Sequence, residues 1–102
     1  MGLVIVIPAD GTKPIRSRET DTPPTLPELQ ALVGGFIELV PHWSDYMGMP
    51  ADVWCNEDGK PDQLPVNVRA TALWYEKLGQ RVDDILVGEI VLVVGLPDRE
   101  EE

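Results

Sequence analysis

The stretch from Leu64 to Gly79, LPVNVRATALWYEKLG, limits the fold more than any other, because it carries a start signal and a stop signal for one helix. With Asn67 as N-cap, its side-chain oxygen accepts a hydrogen bond from the backbone N–H of Arg69 or Ala70, a donor that the helix itself leaves orphaned. Pro65 biases Leu64 toward an extended conformation, which suits a segment leading into a cap. Ala70, Leu73, Trp74 and Leu78 then fall on one face at i, i+3, i+4 and i+8. Gly79 suits the C′ position because it enters the left-handed region without a Cβ clash. Lys77 near the end complements the macrodipole. An amphipathic helix over 67–78 follows, and its apolar stripe needs a layer to cover.

The rest of the chain supplies that layer. Leu3 to Ile7 is a continuous apolar, β-branched run, which predicts a buried strand. Pro8 ends it and Asp10-Gly11 signals a hairpin. Thr12 to Glu19 returns as a polar edge strand, since Pro14 is tolerated only at an edge. Thr25-Leu-Pro-Glu28 is a capping box with Pro27 in the first turn; the helix it starts shows Leu26, Leu29, Leu32 and Val33 on one face and stops at Gly34-Gly35. Phe36 to Val40 reads as a strand, Pro41 to Pro50 as an aromatic loop or hairpin tip, and Ala51 to Asn56 as another strand. Glu57-Asp-Gly-Lys60 is a turn, after which residues 61 to 64 are expected to pair back briefly. Ile85 to Val94 reads as one final buried strand bent at Gly88. This order predicts a compact α+β domain over residues 1–97, with two helices packed on a mostly antiparallel sheet of about five to six strands. Asp98 to Glu102 is expected to form an acidic, flexible tail.

Composition narrows the function classes. A chain of 102 residues can bury one core unaided. Cys55 is the only cysteine and His42 the only histidine, so neither an intrachain disulfide nor a zinc site of the usual ligand types can be built. No window approaches ~20 apolar residues, and the N-terminus lacks the basic region of a signal peptide. A soluble cytoplasmic protein is the expectation. The net charge of −10 disfavours direct contact with nucleic acid or an anionic membrane. From Glu19 to Asp58 there are eight carboxylates and no Lys or Arg. Such a surface can steer a basic partner, and solubility explains it equally well.

Catalytic sets are missing. Neither Ser17 nor Ser44 sits in a nucleophile elbow, and no Gly-rich phosphate loop occurs. Cys55 falls in an alternating strand, where a buried inert thiol is the usual outcome even with His42 on a neighbouring segment. Asp83-Asp84 and Glu57-Asp58 read as turn carboxylates. No enzymatic activity, cofactor or metal is expected. The binding candidates are two sets. Asn67 and Arg69 can recognise a phosphate or carboxylate at a helix N-terminus, against the plainer reading of a cap and a surface arginine. Trp43, Tyr46, Met47 and Met49 can form an exposed apolar patch, against a lid folded over the core. Trp74, on the apolar stripe, reads as core.

Four ordered motifs carry a resemblance: Gly34-Gly-Phe-Ile-Glu-Leu-Val40, Asn56-Glu-Asp-Gly-Lys60, Leu64-Pro-Val-Asn-x-Arg-Ala-Thr-Ala-Leu73, and Asp84-Ile-Leu-Val-Gly-Glu-Ile-Val-Leu-Val-Val-Gly95. Together they resemble a small domain family of unknown function typical of actinobacterial phages, prophages and other mobile elements, sometimes beside antirestriction domains. The resemblance covers most of the chain and implies a phage or mobile-element accessory protein; the family offers no established catalytic residues to transfer. The aromatic segment Pro41 to Pro50 departs from the shorter connection that the family leads one to expect.

The first functional expectation is a non-enzymatic module that binds a host or phage protein, a basic one being the partner its charge suits, in a host-modulating or counter-defence role; DNA mimicry by its carboxylates is one version. The alternative is a small-ligand or nucleotide module using the start of the 67–78 helix. A homodimer through the 12–19 edge strand is a further expectation.

Overall fold

Two apolar strands make the centre of the molecule. In the computed structural model, which describes residues 2–96, β1 (Gly2–Ile7) and β6 (Ile90–Val94) pair antiparallel, with Val4 opposite Val93 and Ile5 opposite Leu92. Side chains on both of their faces are buried, which is why both read as unbroken apolar runs rather than as alternating ones. β2 (Arg16–Thr20) flanks β1, β5 (Met49–Asn56) flanks β6, and β3 (Ile37–Leu39) closes the far edge. The order is therefore β2-β1-β6-β5-β3, antiparallel at every step, with β4 (Asp45–Tyr46) paired to the start of β5.

The two helices cover opposite faces. From α1 (Leu26–Val33), Leu29 and Val33 pack with Val4, Val6, Val91 and Val93. From α2 (Val68–Leu78), Ala70 and Trp74 pack with Ile5, Ile7, Val53, Ile90 and Leu92. Each of the Val, Leu and Ile side chains among them, fully buried, contributes about 1.5–3 kcal/mol of hydrophobic stabilisation. The expected α+β domain of two helices on an antiparallel sheet is what the chain forms, in three layers.

The local signals at both helices are realised. Thr25 accepts from the Glu28 amide while Glu28 accepts from the Thr25 amide, completing the capping box. Asn67 caps α2, and Gly34 and Gly79 end the helices with φ of 81° and 77°.

Three expectations need correction. The second strand begins at Arg16, not Thr12; the Asp10 side chain accepts from the Thr12 amide and its carbonyl from Lys13, so Pro14 follows a tight turn and precedes the ladder. Residues 61–64 form turns, with Gln63 donating to the Lys60 carbonyl and Leu64 to that of Gly59, and do not return as a strand. Ile85–Val87 do not belong to the final strand, because Gly88 at φ 73° redirects the chain before Ile90. Leu86 and Val87 are buried for another reason: Leu86 bonds Asn67 and Thr71 at the start of α2, and Val87 bridges Val66. The expected domain boundary at residue 97 and the tail at 98–102 lie outside the described residues.

Candidate functional site

Asn67 is fully buried, and its amide group joins three elements. Its oxygen accepts from the Ala70 N–H, while its Nδ2 donates to the carbonyls of Ile7 at 2.8 Å and Gly88 at 2.9 Å. Both amide hydrogens are thus engaged inside the fold. Arg69 turns its guanidinium onto the β1–β2 connection, where Nη2 donates to the carbonyls of Pro8 and Asp10 at 2.9 and 3.1 Å. Its Nε is buried without a partner among the described residues. None of the cavities described below is lined by either residue. In this geometry the pair fastens the end of β1 to the start of α2.

The four residues of the aromatic segment separate. Trp43 is 4 % exposed and belongs to the α2-side core, and Tyr46 packs partly against it. Met47 and Gly48 form a two-residue hairpin turn between β4 and β5, with φ of 51° and 81°. That pair of left-handed residues matches the twist of flanking strands, and glycine or asparagine usually takes the first position. Here a methionine takes it, 81 % exposed, with Met49 39 % exposed across the ladder. A hollow of about 260 Å³ beside the turn is lined by Trp43, Tyr46, Met47 and Leu73. One wall of it is fixed by an ion pair from Lys77 to Asp45 at 2.8 Å. The patch reading therefore applies to Met47 and Met49, and the lid reading to Trp43.

A second concavity, also of about 260 Å³, opens on the α2 side of the sheet where β3 and β5 end. Glu38, Cys55, Lys60, Trp74 and Asp84 line it. Trp74 is held by a bond from Nε1 to the Pro41 carbonyl, and the Tyr75 hydroxyl donates to the Asp84 carbonyl. Lys60 pairs with Asp84, whose carboxyl is held below its ordinary pKa mainly by that bond. The Cys55 thiol donates to the Glu38 carbonyl at 3.4 Å, and its pKa is pushed up to about 11, first by burial and then by the Glu38 carboxylate. Such a thiol is a poor nucleophile near neutral pH.

The acidic run is not one row. Glu38 pairs with Cys55 on the α2 side, whereas Asp52 pairs with Val93 on the α1 side and Glu28 starts α1. Carboxylates on both faces do not reproduce the spacing of a phosphate backbone, and the DNA-mimic version of the protein-binding reading loses its basis.

The run from Phe36 to Val40 reads in sequence only as a strand; the structure adds its exposure at the sheet edge, with Phe36 64 % and Leu39 40 % exposed. The signal available was the lack of any Lys or Arg there, against Arg16 and Arg18 on the other edge strand.

Among the described residues no helix is long and apolar enough to cross a membrane, and no group of three His, Cys, Asp or Glu could hold a metal ion. A family model described as a domain of unknown function, DUF3846, matches residues 3–102. No curated protein and no solved structure matches the chain.

Proposed function

We propose, from the premise that the chain belongs to the DUF3846 family of domains of unknown function, that it is a non-enzymatic accessory protein of a phage or mobile element that binds another protein in the host cytoplasm. The observation that carries this reading is Met47, held outward at 81 % exposure on a two-residue turn. A large, adaptable apolar side chain in that position, beside Met49 and Tyr46, has the character of an interface anchor. The net charge of −10 favours a basic partner through faster, salt-sensitive association. The mobile-element setting rests on the four-motif resemblance, and a host-modulating or counter-defence role agrees with it. The small-ligand alternative at the start of α2 finds no support in Asn67, whose amide hydrogens are engaged within the fold, or in Arg69, whose Nη2 is held by the Pro8 and Asp10 carbonyls and which lines neither of the cavities described above.

The test is a pull-down from host lysate with the tagged chain, washed at low and high salt, alongside a Met47→Asp/Met49→Asp variant. A partner recovered by the native chain should fall to about a tenth or less with the variant, the loss of roughly 1.4 kcal/mol expected from removing one anchor. Equal recovery by both chains refutes the hairpin as the contact. An empty column refutes protein binding itself.

A further inference from the structure

The two edges of the sheet are guarded differently. β2 presents Arg16, Arg18 and Glu19, all exposed, and such charges discourage another strand from lying alongside. The segment from Phe36 to Val40 carries a single charge, Glu38, between exposed Phe36 and Leu39. Its register settles which backbone groups are free. Val40 donates to the Val53 carbonyl and Glu57 to the Phe36 carbonyl, both at 2.8 Å, so the even-numbered residues face β5. The N–H and C=O groups of Ile37 and Leu39 therefore point away from the sheet, and among the described residues nothing bonds them. An unguarded apolar edge of this kind is a template for strand addition.

We propose that β3 accepts an extended segment of a partner protein as an added strand, with Lys or Arg opposite Glu38. Glu38 makes no ion pair among the described residues, and Lys60, which lines the same cleft, is held by Asp84. Glu57 lines that cleft too, so the field at the edge is negative. A residue opposite Glu38 falls on the same face, at the outer rim of the cleft that Glu38 lines. At about 260 Å³ the cleft is smaller than the ~300 Å³ at which pockets for drug-sized molecules begin, and it suits the stem of one long side chain. A second copy of the chain is the less favourable occupant. Two β3 strands paired to their fullest overlap set Glu38 against its own copy, with Cβ atoms ~4.5–5.5 Å apart. Centring the pair on Leu39 instead brings Pro41, which has no N–H, opposite Ile37.

This inference does not depend on the hairpin, and its test keeps the two apart. Short random peptides displayed on phage are selected on the immobilised native chain, and their binding is then measured by fluorescence anisotropy on three variants. Selected peptides should alternate β-formers and carry Lys or Arg at one position. Leu39→Pro removes an outward N–H without touching the bonds to β5, and should weaken them at least about tenfold. Glu38→Lys should weaken them similarly and be rescued by peptides with Glu at the basic position. Met47→Asp should leave them bound. Amide exchange at Ile37 and Leu39 should slow when a peptide binds. An empty selection, unchanged binding to Leu39→Pro and Glu38→Lys, or protection at other amides overturns the proposal. So does a concentration-dependent dimer of the free chain that protects Ile37 and Leu39.

Discussion

Replacing Asn67 by alanine strikes three elements with one truncation. The cap on Ala70 is lost, at about 1 kcal/mol. The carbonyls of Ile7 and Gly88 lose their donor in a site that water does not reach, at about 1 kcal/mol each on the conservative side. The sum, roughly 3 kcal/mol, is a large part of the 5–15 kcal/mol typical of a domain this size, and corresponds to a Tm lower by about 12–24 °C. Urea unfolding followed by tryptophan fluorescence reads it directly, with an unchanged slope expected. Asn67→Asp separates the contributions, since it keeps the cap acceptor and sets one oxygen against both carbonyls. Burial raises that carboxyl's folded pKa above its unfolded value of ~3.9, so the folded state holds the proton more tightly. The variant should be at its most stable below pH ~4 and lose stability as pH rises. A loss under about 1 kcal/mol for Asn67→Ala, or a pH-independent Asn67→Asp, would show that the two carbonyls do not rely on this side chain.

Arg69→Lys keeps the charge but gives up the rigid guanidinium whose Nη2 donates to both the Pro8 and Asp10 carbonyls, and should cost about 1 kcal/mol while speeding amide exchange at Thr12 and Lys13. Gly2→Ala would set a Cβ 2.3 Å from the Val94 carbonyl oxygen, so denaturation should report a loss of about 1–3 kcal/mol; Gly11→Ala, with nothing within 4 Å, should stay within about 0.5 kcal/mol. At pH 8, Cys55 with its pKa of about 11 should react with a thiol reagent on the order of 100-fold more slowly in the folded chain than in urea, and equal rates would deny the thiol its burial. Because that folded pKa is raised from 9.0, the associated stability should be intact below pH 9 and decline as pH climbs toward 11 in a pH series of urea melts.

What the chain reveals before folding depends on how local the cause is. The caps of both helices are written within four residues, at Thr25 with Glu28 and at Asn67 with Ala70, and they were readable for that reason. The run from Ile85 to Val94 misled because burial has two sources. Ile90–Val94 are covered by two helices across a ladder, while Leu86 and Val87 are covered by bonding to the start of α2 and to Val66. Hydrophobicity records that a residue is buried, not what buries it. Trp43 and Met47 sit four residues apart in one aromatic segment, and only the seating of the former on the α2-side core decided which faces water. The candidate sites were less legible still. An open edge such as β3 is a property of strand order, and no spacing within residues 36–40 announces it.

The central place of β6 bears on how the chain folds as it is made. β1 leaves the ribosome first and β5 about midway, yet each takes β6 as a neighbour, and the pairing of Leu3 with Val94 closes a loop of some ninety residues. Pairing at that separation is slow to nucleate, since loop closure must precede the contacts that reward it. Until Ile90–Val94 emerge, β1 and β5 are apolar strands with an open flank, exposed to nascent-chain chaperones and to neighbouring chains. Interrupted synthesis that ends before Ile90 should therefore yield aggregation or proteolysis rather than a smaller folded fragment.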